Sequence, residues 1–267
     1  MTMCDKQPLW RVVLVGSGNV AEAYARTLPA VEGVELVQIY ARNEVRGREL
    51  SALANVPWCG TPADLAAADL YIIAVSDRAI GDVCGELPFC DDALVVHTAG
   101  SVALDAIAKR EGRRGVLYAF QSFTAGRDIC FCDIPIFVEA DNEAVEARIK
   151  AFASRLSRKV YVASSQHRRM VHLTGVIVNN FTNHLYTLGG ELLRDEGFSF
   201  ELLAPLVAET AAKAIASGNP HSVQTGPAVR GDRAVCDKHI EMLADHPELQ
   251  RIYNVITDSI WEISKKI

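Results

Sequence analysis

A doubly wound α/β domain with a Rossmann-type parallel sheet, followed by an all-helical C-terminal domain, is the fold class that this sequence predicts. Apolar runs of strand length alternate with helical segments through the first 163 residues. The first of these runs enters Gly16-Ser17-Gly18-Asn19-Val20-Ala21, a glycine turn that leads into a helix. Beyond Ala163 the strand-like runs cease.

In order along the chain, strands are expected over 11–15, 34–40, 70–75, 93–98, 116–119, 135–139 and 159–162. Helices are expected between them over 20–28, 45–54, 79–84, 103–111 and 142–156. Ser164-Ser165-Gln166 then offers a helix N-cap, and the chain runs proline-free to Glu196, so one long helix follows. Further helices are expected over 201–217, 235–244 and 247–265, the last with Pro247 in its first turn. The expected domains are therefore 1–163 and 164–267, with the helical one as substrate and dimerisation domain.

A chain of 267 residues can bury a large core, and 49% hydrophobic with 22% charged residues is an ordinary globular composition. The net charge of -6 gives no global basic field for nucleic acid or an anionic membrane. Residues 1–6 carry no secretion signal, and no apolar run approaches the roughly 20 residues that span a bilayer. A cytoplasmic location and a small-molecule partner are the expectation. The seven cysteines, Cys4, Cys59, Cys84, Cys90, Cys130, Cys132 and Cys236, are odd in number and scattered, which reads as reduced thiols. Cys130-Phe131-Cys132 lacks the partners of a structural zinc site and reads as two strand-edge thiols; no metal is expected.

The glycine turn assigns a dinucleotide pyrophosphate site to the backbone of Gly16, Ser17, Gly18, Asn19 and Val20. Gly16 permits the turn, Gly18 lets the pyrophosphate approach, and Ala21 takes the place of the third glycine. Where an NAD site ends its second strand in an acidic residue, this chain reads Tyr40-Ala41-Arg42-Asn43. Arg42 offers a planar fork for a 2′-phosphate and Asn43 a further hydrogen bond, so NADP is the expected cofactor. The alternative leaves Arg42 in solvent and gives the ribose to Glu44 or Glu49. Val75 and Ser76 would face the nicotinamide half, with Asp77 either beside them or capping the next helix.

Candidates for substrate contact lie at strand ends. His97 and Gly100 follow one strand, with Ser101 as cap of the next helix, and Gln121 and Ser122 follow another between aromatic walls. Each has a structural alternative, a satisfied histidine or simple aromatic packing. His172, Val176, Asn179, Asn180 and Asn183 share one stripe at helical spacing. There His172 could donate a proton while Asn179 or Asn180 holds a carbonyl, imine or hydroxyl. The same asparagines could instead bond across a helix–helix or dimer interface. His167 and His184 are expected to be exposed. Arg230, in the loop 224–232, could meet a carboxylate or phosphate, or could hold the loop through Asp232.

On Gly16-Ser-Gly-Asn-Val, Val95-Val-His-Thr-Ala-Gly-Ser101, Asn180-Phe-Thr-Asn183 and Thr225-Gly-Pro-Ala-Val-Arg-Gly-Asp232, the chain resembles the Rossmann-like NADP oxidoreductases of the deazaflavin-dependent type. Their C-terminal part is a domain of unknown function. More distantly the layout is similar to pyrroline-5-carboxylate reductase, ketopantoate reductase and the β-hydroxyacid dehydrogenases, with a 6-phosphogluconate dehydrogenase-like C-terminal domain. The resemblance implies the fold, NADP use and a homodimer through the C-terminal helices. It does not carry over a lysine-assisted mechanism, because Val176 stands where the β-hydroxyacid dehydrogenases have lysine. The expected activity is hydride transfer between NADP and a small carbonyl, imine or hydroxy compound. The alternatives are an NADP-binding redox sensor and hydride transfer between NADP and a deazaflavin.

Overall fold

The computed structural model describes residues 9–265, so Cys4 and the outermost ends of the two expected domains lie outside the described residues. An eight-stranded sheet has the order β3-β2-β1-β4-β5-β6-β7-β8. Its strands are β1 (Trp10–Val15), β2 (Val34–Tyr40), β3 (Trp58–Cys59), β4 (Leu70–Ile73), β5 (Leu94–His97), β6 (Arg114–Ala119), β7 (Ile136–Ala140) and β8 (Val160–Val162). Helices α1 (Asn19–Thr27), α2 (Glu44–Ala54), α3 (Ile80–Glu86) and α4 (Glu143–Leu156) alternate with them.

Alternate residues of a strand point to opposite faces, so a strand covered on both sides must be apolar at every position. Val12 and Leu14 of β1 accordingly face one core with Tyr24 of α1, Leu50 of α2 and Phe152 of α4. Val13 and Val15 face the other with Ile80 and Val83 of α3. The strand order reverses at β1, which opens a crevice beyond the carboxyl ends of β1 and β4.

Several expectations require correction. The pairing of β6 with β7 is antiparallel. A parallel return needs a crossover, normally a helix, and the connection 120–135 holds only the 3-10 turn Phe131–Asp133. The helix expected over 103–111 is replaced by two 3-10 turns, Leu104–Ala106 and Ala108–Arg110. Leu104 and Ile107 are both buried at the three-residue spacing of that tighter turn, and Ile107 leaves the helical region at φ -96, ψ 62. Ser101 therefore caps no α-helix and gives its hydroxyl to Asp77. The short β3 escaped notice in the sequence. Trp58 fixes it by donating Nε1–H to the Ala41 carbonyl at 3.0 Å. Cys130 and Cys132 are joined as a disulfide around buried Phe131, in a loop rather than at a strand edge, while Cys59, Cys84, Cys90 and Cys236 are free.

Past the sheet, Ser164 caps α5 (Ser165–Gly175) by accepting from the His167 N–H. Helical conformation continues through a π turn, Val176–Phe181, into α6 (Thr182–Asp195). The chain divides into two compact units, one ending at Asn180 and one beginning at Phe181. The sequence boundary near 163 marks the end of the sheet; the first unit runs on because Arg168 of α5 is fully buried and ion-paired with Glu139 of β7. The second unit continues with α7 (Ala204–Ser217), α8 (Pro227–Arg230), α9 (Arg233–Met242) and α10 (Pro247–Ser264). Among the described residues no helix is long and apolar enough to cross a membrane, and no group of side chains is arranged to hold a metal.

Candidate active site

The β1–α1 turn lines a cleft of about 640 Å³ together with Arg42, Asn43, Ala74, Val75, Ser76 and Gln121. All of the expected cofactor-binding residues, Gly16 to Val20 included, face this one cleft. The glycines have separate physical reasons. Gly16 adopts φ +131, and a Cβ there would stand 2.1 Å from the Ala74 carbonyl oxygen, so the turn passes directly over the end of β4. A Cβ on Gly18 would meet nothing within 4 Å, which leaves open space in front of the α1 amino end. That space, beside free N–H groups of a helix start, fits a dinucleotide pyrophosphate.

Ala41 ends the chain's run along β2, and Asn43 caps α2 by accepting from the Arg46 N–H. Arg46 is turned away to Glu22, at 2.8 Å. Among the described residues, Arg42 is the one cation lining the cleft. Glu22 itself is buried and also accepts from Arg26 and the Gly126 N–H, and its carboxyl is held down at about 2, first by the Arg46 hydrogen bond. Asn19 donates to the Phe123 carbonyl at 3.1 Å. Together these bonds clamp the 121–128 loop to α1, so that Gln121 and Phe123 form a wall of the cleft.

Gln121 also borders a second cavity, of about 400 Å³, lined by Tyr118, Phe120, Ser122, His172, Gly175, Val176, Asn179 and Asn180. Arg168 positions this cavity. Its guanidinium donates to the Ala99 and Val102 carbonyls and to Glu139, which fixes α5 against the loop after β5. One turn later, His172 stands against Gly100, where a Cβ would lie 2.8 Å from His172 Nδ1. The Tyr118 hydroxyl lies 3.2 Å from that same nitrogen. Asn179 donates to the Asn180 side-chain oxygen at 2.9 Å, which leaves Asn179 with its own oxygen as an acceptor.

The structure brings His172, Asn179, Asn180 and Gln121 together at one cavity, while Asn183 lies in the second unit and lines a cavity there with Tyr186 and Arg194. The π turn adds a residue to the helical repeat, so the 3.6-residue stripe loses phase beyond Asn180. His97 is fully buried; its Nδ1 accepts from the Ala99 N–H at 3.2 Å, and burial, reinforced by Arg168, lowers its pKa to about 4. Arg230 is exposed at the end of α8, and Asp232 caps α9 by accepting from the Val235 N–H instead of holding Arg230. Gly231 in the same loop takes φ +67 with Trp261 so near that a Cβ would stand 2.4 Å from it.

Three residues of this region escaped the sequence reading as functional parts: Glu22, Tyr118 and Arg168. Glu22 and Arg168 carry no mark in the sequence beyond a charge within a helical segment, and Tyr118 none beyond an aromatic ring near a strand end. A tyrosine at the carboxyl end of an internal strand was the one available signal, since such ends open into the crevice.

A family model described as a domain of unknown function, DUF2520, matches residues 134–260. No curated protein matches the chain. Among solved structures, the "putative NADP oxidoreductase BF3122" of Bacteroides fragilis is 38% identical, with a TM-score of 0.88 over 95% of this chain and 98% of that one. Protein TM1727 of Thermotoga maritima is 22% identical, with a TM-score of 0.79 over 95% and 99% of the two chains. An imine reductase of Streptomyces aurantiacus is 17% identical, with a TM-score of 0.64 over 96% and 98%, a likeness of fold.

Proposed function

The chain belongs to the family represented by BF3122 of Bacteroides fragilis, a Rossmann-type domain joined to a DUF2520 domain, and from that premise we propose that it is an NADP-dependent oxidoreductase acting on a small carbonyl, imine or hydroxy compound. The observation that carries this reading is the shared wall. Gln121 borders both the glycine-turn cleft and the cavity that holds His172, so a nicotinamide in the first would lie beside a substrate in the second.

A bound nicotinamide cofactor would supply or accept the hydride. The chain's own residues do the remainder. The Gly16–Val20 backbone binds the pyrophosphate, Arg42 the 2′-phosphate with Asn43 beside it, and Val75 and Ser76 border the nicotinamide half. His172 holds the proton that the reacting oxygen or nitrogen exchanges, and Asn179 and Asn180 orient that atom. Phe120 and Val176 give the cavity apolar walls. Gly100 stands directly against His172, and Asn183 lines a separate cavity of the C-terminal unit. A second copy of the chain, joined through the C-terminal helices, completes the protein.

The test is a panel of carbonyl, imine and alcohol compounds assayed by loss or gain of reduced-nicotinamide absorbance. Turnover of a carbonyl or imine that falls by about 100-fold or more in His172→Ala is the expected result. Tight NADPH binding with no turnover on any panel member, and no effect of His172→Ala, would assign the protein to cofactor sensing instead.

A further inference from the structure

Tyr118 is the penultimate residue of β6, 9% exposed and packed edge-on against His172 with ring centroids 6.1 Å apart. Phe120 and Phe137 enclose its ring. Gly100 makes the approach possible, because a Cβ there would stand 2.6 Å from Tyr118 Cζ and 2.8 Å from His172 Nδ1. Burial lifts the Tyr118 pKa to about 12, with Arg168 and Asp77 acting on it in opposite senses, so the hydroxyl keeps its hydrogen at neutral pH. Among the described residues, His172 Nδ1 is its hydrogen-bond partner, at 3.2 Å. A buried hydroxyl left without an acceptor is destabilising, so the O–H points at that nitrogen.

We propose that Tyr118 is the positioning residue that sets the tautomer of His172, donating its O–H to Nδ1 so that the neutral imidazole presents Nε2–H to the cavity. A ring nitrogen that accepts cannot also carry a hydrogen, so the single hydrogen of the neutral ring belongs on Nε2. An Nε2–H group donates. It therefore selects a substrate that brings a lone pair to it, a carbonyl oxygen or an imine nitrogen, over one that brings only a donor. The catalytic use of this tautomer rests on the proposed oxidoreductase activity; the hydrogen bond itself does not.

The test needs no turnover. Long-range proton–nitrogen correlation of nitrogen-15-labelled protein at neutral pH reports which imidazole nitrogen is protonated, and His172→Gln identifies the His172 signals. The expected result is a single Nε2–H form in the natural protein and its replacement by a mixture of the two tautomers in Tyr118→Phe, with the other histidines unmoved as evidence that the fold is kept. An Nδ1–H form in the natural protein overturns the assignment, and this measurement does not depend on whether the variant folds. So does a Tyr118→Phe spectrum that keeps the His172 signals unchanged. If the compound panels fail while the Nε2–H signature is present and lost in Tyr118→Phe, the oxidoreductase reading falls and the tautomer assignment stands. Turnover with the wrong tautomer separates the two in the other direction.

Discussion

At the scale of single residues, two glycines two positions apart have opposite reasons for being glycine. Gly16 is glycine because of the protein: its φ of +131 and the Ala74 carbonyl at 2.1 Å from any Cβ leave no room for a side chain. Gly18 has no such constraint, since its Cβ position is empty and its φ of -81 is open to any residue, so the proposed pyrophosphate contact is the reason offered for glycine there. Gly16→Ala is therefore expected to lower unfolding stability by about 1–3 kcal/mol or more. Gly18→Ala is expected to stay within about 1 kcal/mol of the natural protein while losing about tenfold in dinucleotide affinity. Denaturant unfolding and cofactor titration of both variants separate the two causes. Arg42 gives the complementary prediction about the other end of the cleft. A charge-assisted phosphate bond is worth about 1.5–3 kcal/mol, so Arg42→Ala should weaken NADPH by about 10- to 100-fold and leave NADH nearly unchanged. Equal losses for both nucleotides would remove the 2′-phosphate assignment.

At the scale of elements, the end of β6 with the loop after it, the last turn of α5 and the π turn line the cavity, while Gly100 after β5 stands against His172. The near-continuous apolar runs made β1, β4, β5 and β6 legible in the sequence, because a strand buried on both faces has little freedom in its composition. The connections after the strands were less legible. The 103–111 stretch has helical composition but yields two 3-10 turns, and Ser165, which binds the Leu104 N–H from another element, helps to hold them. The buried pair Arg168–Glu139 is invisible in sequence for the same reason: its partners are 29 residues apart and meet only when β7 and α5 pack. His97 closes β5 and has a consequence for the acid stability of the whole sheet. Its pKa in the fold is about 4 against an ordinary 6.5, because burial opposes the charge. The unfolded chain takes up that proton first as pH falls, so the stability held by neutral His97 is complete above 6.5 and is lost progressively from 6.5 down through 4. Denaturation midpoints measured across that window should fall with pH in the natural protein and fall less steeply in His97→Asn.

At the scale of the whole molecule, the two units differ in how completely they are closed. The first has a core on both faces of its sheet, whereas from Phe181 onward only Ala228, Cys236 and Leu243 are buried among the described residues. Leu206, Ile215, Met242 and Val255 are all at least 63% exposed. Apolar helix faces of this extent are the reason for proposing a second copy, since burial of such surface is the main favourable term in association. Light scattering after size exclusion should give twice the chain mass, the thermal midpoint should rise with protein concentration, and Ile215→Glu should shift the population towards monomer. A monomer at all concentrations with an unchanged midpoint would remove the dimer. The sequence by itself determined the Rossmann-type sheet, the glycine turn and the helical C-terminal half, because these follow from local periodicity and from backbone conformations that few residues tolerate. Only the tertiary structure decided that β7 runs antiparallel, that Arg46 is occupied by Glu22 while Arg42 faces the cleft, and that Tyr118 meets His172 over Gly100. Each of those depends on distances between residues far apart in the chain, and such distances are set by packing rather than by the order of the residues.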